Sequence, residues 1–167
     1  MKNNQKENDF FTKEIMAEAL LRLLNKKPYD DIKVVEIADT AGVSRSSFYR
    51  YFNKSTKKDL ILEYIIYLWD IYIINKDNKS SLDKAFLILL EFIYNYKDIF
   101  IILNKSGLND IIFKLIYHME KDLNDLEDVV KAFIAGSIYG LVNYWISNDF
   151  KTSPEEIVDI FLNLKRD

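Results

Sequence analysis

The chain has 167 residues, 49% of them apolar and 29% charged, enough for one domain or for a small domain riding on a larger one. It has no cysteine and a single histidine, which excludes disulfides, iron–sulfur clusters, thiolate metal sites and cysteine nucleophiles and leaves little for histidine chemistry. The net charge of −3 hides a division, with residues 1–58 at +4 and residues 59–167 at −7, so a basic end suited to a polyanion sits on an acidic body.

Four glycines and two prolines are too few for a turn-rich β protein or a glycine-rich phosphate loop. The composition predicts an all-α protein of about nine helices, with no cofactor, no metal and no catalytic constellation. Residues 1–9 are polar and read as a disordered tail. Thr12 is placed as the cap of a first helix, with Phe11 stapling onto Met16, and Ile15, Ala19, Leu20, Leu23 and Leu24 follow at helical spacing. Asn25 to Pro28 ends it. A short helix over 33–40 carries Val34, Ile37 and Ala38 on one side and stops at Gly42. Ser44 caps a second short helix over 45–51.

A fourth helix is expected from 56 to about 75, with Leu60, Ile61, Tyr64, Ile65 and Leu68 among its apolar positions. After a polar joint the periodicity resumes over 82–96, then a short piece over 99–103, then 108–121. The stretch 129–146 is apolar nearly all round and needs cover on more than one face. Ser153-Pro154-Glu155-Glu156 marks the last helix, with an N-cap, a proline at the first position and a glutamate at the third. The N-terminus lacks an apolar leader and the run Tyr64 to Ile74 is too short to span a bilayer, so the expectation is a soluble, cytoplasmic protein with no membrane partner.

The functional signal lies in residues 33–60. Two short helices joined by a glycine turn are a helix-turn-helix. Ala38 lets the helices cross closely, Val43 packs beneath the turn, and Phe48 with Phe52 anchors the second helix. Arg45, Ser46, Tyr49 and Arg50 are then left as its outward face. Arginine can read guanine edges, and serine and tyrosine can meet bases or phosphates. Lys33, Lys54, Lys57 and Lys58 flank the helix as candidate phosphate contacts.

Ile37-Ala38, Ala41-Gly42-Val43-Ser44, Phe48-Tyr49-Arg50-Tyr51-Phe52 and the Lys57-x-x-Leu60 that follows resemble the DNA-binding domain of the tetracycline-repressor (TetR) family. The likeness covers residues 10–65. It departs in the loop Asn53 to Thr56, longer by two residues, and in Ser46, where many members carry glycine. It implies DNA contacts from Ser44, Arg45, Ser46, Ser47, Tyr49, Arg50 and Tyr51 in a domain at 10–55 and from Lys57 just beyond it, with Lys33 and Lys54 added on charge. It also implies a helical ligand-binding and dimerisation domain at 56–167.

The remaining residues agree with that implication. Phe133, Gly136, Tyr139, Gly140, Asn143 and Tyr144 on the apolar helix, with Ile157, Ile160, Phe161 and Leu164 on the last, make the candidate dimer face. The function expected is a homodimeric regulator, a repressor by default, that binds a double-stranded pseudo-palindromic operator. A small apolar or aromatic effector would modulate it, through pocket residues the sequence does not assign. The alternative keeps the DNA-binding end but gives the C-terminal half a partner protein to dock.

Overall fold

The structure, a computed structural model, describes residues 2–52, 56–74, 76, 82–119 and 127–164, and the side chains of 2–10, 51, 52, 82, 119 and 164 lie outside that description. The elements are α1 (Lys2–Leu24), a 3-10 turn (Tyr29–Asp31), α2 (Val34–Ala41), α3 (Arg45–Phe52), α4 (Lys57–Ile74), α5 (Leu82–Asn95), α6 (Lys97–Lys105), α7 (Asn109–Met119), α8 (Asp128–Ser147) and α9 (Pro154–Leu164). No strand occurs among the described residues. The chain is all-α, with an N-terminal helix-turn-helix followed by a helical C-terminal half.

The N-terminus departs from expectation. Helix α1 starts at Lys2, so residues 2–9, read as a tail, have helical backbone, and Thr12 sits inside the helix and not at its cap. Residues 2–11 contain neither proline nor glycine, and extending an existing helix costs far less than starting one. Phe11 is exposed while Met16 is fully buried, so the expected staple does not form. The 3-10 turn was not anticipated, because three residues carry no readable period.

Helix ends follow local chemistry. Gly42 takes a left-handed φ of 69°, and the N–H of Val43 donates to the Ala38 carbonyl at 3.0 Å while that of Gly42 donates to Asp39 at 3.2 Å. Gly107 closes α6 in the same way. Helix α8 ends in this motif without glycine, with Asp149 at φ 54° and Phe150 at φ 53°. Tertiary packing holds that strained corner. The Phe150 ring lies 4.9 Å from the Trp145 ring and 6.1 Å from that of Tyr94, and the Trp145 indole donates to the Thr152 carbonyl at 2.8 Å.

Helix starts are closed by side chains. Thr56 donates its N–H and hydroxyl to the Asp59 carboxylate at 2.7 and 2.9 Å, and its hydroxyl accepts the Asp59 N–H at 3.2 Å. Ser153 and Glu156 form the same reciprocal pair at the start of α9, as the sequence predicts.

One continuous apolar cluster runs through both halves. Helix α1 packs on α2, α3, α4 and α6; α4 packs on α5 and α7; α7 packs on α8, and α5 on α9. Helix α4, with Leu60, Ile61 and Ile65 buried along it, is the main link between the halves, and α1 adds a smaller contact with α6.

Two stability predictions result. Asp149→Gly relieves a left-handed residue on the exposed side of the α8 corner and should raise unfolding stability by about 0.5–1 kcal/mol in urea titrations. Asp59 is held below its ordinary 3.8 chiefly by the Thr56 N–H, and Glu36 below its ordinary 4.5 chiefly by the Lys27 ammonium. A carboxylate whose folded value is depressed stabilises the fold above its unfolded value and loses that contribution as pH falls through the folded one. Stability should therefore be flat above pH 4.5 with respect to these groups and decline below pH 3.8, with a shallower decline in Asp59→Asn.

Candidate nucleic-acid interface

Helix α3 is too short to be stable alone, so its rotation is set by what it buries. Phe48 is only 3% exposed and joins the core made with α1 and α2. Arg45, Ser46, Tyr49 and Arg50 are all exposed, and Tyr49 keeps 54% of its surface. Ser47 is half-buried. Ser44 does more than present a hydroxyl. Its Oγ accepts the Ser47 N–H at 3.2 Å and lies 2.8 Å from the Ser46 hydroxyl and 3.0 Å from that of Ser47. Three hydroxyls therefore share the N-terminal end of α3, with Ser44 engaged as its cap.

Lys33 is exposed and stands at the cap of α2, where its backbone N–H donates to Glu36 Oε2 at 2.9 Å. Glu36 is also paired with Lys27. Tyr51 has helical backbone, but its side chain, like that of Phe52, lies outside the described residues, as does Lys54.

Lys57 does not face outward as a phosphate contact would. Its ammonium donates to the carbonyls of Tyr29 and Ile32, both at 2.7 Å, and sits 4.1 Å from the centre of the Tyr29 ring. The reason is local. The chain must turn between α1 and α2, and that break turns the Ile32 carbonyl, and the second lone pair of the Tyr29 carbonyl that already accepts the Ile32 N–H, toward the Lys57 ammonium. Lys58 is paired with both Asp110 oxygens at 2.9 and 3.0 Å, at the start of α7. Sequence spacing marked these lysines as basic but held no signal for the partners that tertiary packing provides.

The candidate dimer residues divide. Phe133 is 75% exposed and Tyr144 67%, and Ile160, Phe161, Gly136 and Gly140 are also exposed. Tyr139 is half-buried against Phe113, and Asn143 is half-buried with its amide donating to the Tyr139 carbonyl. Ile157 turns inward at 5% exposure and joins the core, on the helix that packs against α5. The side chain of Leu164 is outside the described residues.

Helix α8 is long and apolar enough, by length and composition, to cross a membrane. Ala135, Val142, Trp145 and Ile146 nevertheless pack into the core.

Several aromatics of the C-terminal half pack in the core. Phe92 is fully buried with Trp69, Tyr72, Tyr96 and Phe100 around it at ring distances of 4.9–6.3 Å. A groove of about 460 Å³ lies where the two halves meet, between Leu24 and Tyr29 on one wall and Lys105, Gly107 and Leu108 on the other.

Comparison with known proteins agrees with this geometry. Residues 16–64 match the family described as bacterial regulatory proteins, tetR family, and residues 80–167 match the transcriptional regulator C-terminal region. An uncharacterized HTH-type transcriptional regulator, YxbF of Bacillus subtilis (strain 168), is 26% identical over 85% of this chain. The chain spans 41% of that relative's length. The dihydroxyacetone kinase operon activator DhaS shares the fold, with a TM-score of 0.56 at 20% identity over 93% of this chain and 94% of its own. A helix-turn-helix with its polar face outward, set on a helical body that matches a regulator's C-terminal region over more than half of the sequence, places this chain in the TetR family of bacterial transcription regulators.

Proposed function

We propose that the chain acts as a cytoplasmic homodimer that lays α3 of each subunit into the major groove of a pseudo-palindromic operator, represses by occupying it, and is released by a small apolar or aromatic effector. The observation that carries the DNA reading is the burial of Phe48 beside the exposure of Arg45, Ser46, Tyr49 and Arg50. Arginine and tyrosine on a protruding helix provide bidentate base contacts and phosphate anchoring. Two such helices meet successive major grooves when about 34 Å apart.

Helix α8 supports the dimer. Val129, Phe133 and Tyr144 are exposed apolar side chains on a helix whose opposite side is core. Gly136 and Gly140 have right-handed backbone, and a Cβ at either would meet nothing within 4 Å. Within one chain these glycines only weaken the helix, by about 1 kcal/mol each. A second helix approaching closely from outside gives them a use. An effector acts if it prefers the dimer in which the α3 spacing no longer fits the operator.

Three measurements test this reading. Tyr49→Ala should weaken binding to operator DNA at least tenfold in gel-shift titrations with an unchanged circular-dichroism spectrum. Arg45→Ala should relax base preference at one operator position by about 1–3 kcal/mol, read by competition between sequence variants. A loss confined to salt dependence would make Arg45 a phosphate contact and not a base reader. Phe133→Asp places a charge on the exposed face of α8 and should shift sedimentation from dimer to monomer. A wild-type chain already monomeric at micromolar concentration would remove the dimer from the proposal.

A further inference from the structure

The first turn of α4 holds two consecutive lysines whose ammonium groups are bonded to other parts of the chain. Lys58 forms the bidentate pair with Asp110 on α7. Lys57 bridges the Tyr29 and Ile32 carbonyls and stacks over the Tyr29 ring. Ile32 immediately precedes Lys33, the cap of α2, and α2 leads through the Gly42 turn into α3.

We infer that Lys57 is a positioning residue for DNA reading, which fixes the α2–α3 unit on α4, and is not a phosphate contact. The inference rests on the proposal that α3 reads DNA. Charge-assisted hydrogen bonds of 2.7 Å are about twice as strong as neutral ones. To reach a phosphate, Lys57 would have to give up two of them and a ring contact, and leave the Ile32 carbonyl without that donor, while the Tyr29 carbonyl would keep only the Ile32 N–H at 3.2 Å. Desolvation by its surroundings also lowers the Lys57 pKa, as expected of an ammonium drawn in from solvent.

At the N-terminus of α4 the Asp59 N–H is already taken by the Thr56 hydroxyl. Lys33, one residue beyond Ile32, is exposed, as is Lys26 in the α1–α2 connection. The turn of α4 that touches the C-terminal half through Lys58 thus also holds the entry to the reading helices through Lys57. Lys57 adds a polar fixing to the apolar packing that already joins α4 to α2 and α3 through α1.

The test uses the full chain and a DNA duplex that it selects from a random pool, with a scrambled duplex for comparison. Lys57→Gln removes the charge and keeps an amide donor. A positioning role predicts that affinity for the selected duplex falls about tenfold while affinity for the scrambled duplex stays unchanged. The slope of log K against log salt should also be unchanged. A phosphate contact predicts that both duplexes weaken together and that the slope loses about 0.9. Lys33→Gln should show that second pattern. Amine acetylation of the wild-type chain, read by mass spectrometry, gives an answer even if Lys57→Gln does not fold. Lys57 should react slowly and equally with and without the selected duplex, whereas Lys33 should become protected by it. Protection of Lys57 by DNA, or a folded Lys57→Gln with an undiminished specific-to-scrambled ratio, overturns the inference. A wild-type chain that enriches no sequence from the pool overturns the DNA reading itself.

Discussion

The burial of one phenylalanine decides which way the reading helix faces. Helix α3 has eight residues, about two turns, and cannot hold its shape or its rotation alone. Burying Phe48 contributes about 1.5–3 kcal/mol, and no other described side chain of α3 is buried to compete with it. Turning the helix far enough to hide Arg45 would expose that ring and bury a guanidinium, and both changes are unfavourable. The exposed face is therefore a consequence of core packing, and any substitution that empties the Phe48 site alters the DNA-facing side without touching it.

Helix α4 carries the same logic to the rest of the chain. Its apolar side chains, Leu60, Ile61 and Ile65, are shared by the core of both halves, so the halves cannot slide apart without opening a continuous cluster. Its first turn adds polar fixings on top of that packing. Tyr64, farther along, approaches Glu18 on α1 at 3.5 Å, and burial with the neighbouring carboxylates pushes its phenol up to about 12. The phenol therefore stays protonated at neutral pH, where it serves as a donor between α1 and α4.

The sequence was most legible where local chemistry alone decides the structure. Gly42 and Gly107 end helices because they reach positive φ cheaply, and Ser44 and Ser153 begin them because their hydroxyls satisfy free N–H groups. Phe48 and the exposed stripe beside it were readable from spacing. Legibility failed where a distant partner decides. Nothing around Lys57 in sequence points to carbonyls 25 and 28 residues away. Ile157 and Ile160 looked equivalent on the last helix, but it is tertiary packing that puts the first in the core and leaves the second exposed. Asp149 carries no sign of its left-handed backbone, since Trp145, Phe150 and Tyr94 impose it.

The charge division acquires a different meaning once partners are known. The N-terminal excess suggested a diffuse basic surface, yet Lys13 pairs with Glu63, Lys27 with Glu36, and Lys57 and Lys58 are committed to carbonyls and Asp110. Those cations add little to the field outside, because each sits against its own counter-charge or dipole within a few ångströms. What is exposed near α3 among the described residues is compact: Lys33 at the head of α2, then Arg45, Tyr49 and Arg50 on the exposed face. A surface of that kind gains modest affinity from charge and must obtain most of its discrimination from geometry. The internal lysines contribute to DNA reading by keeping that geometry rigid.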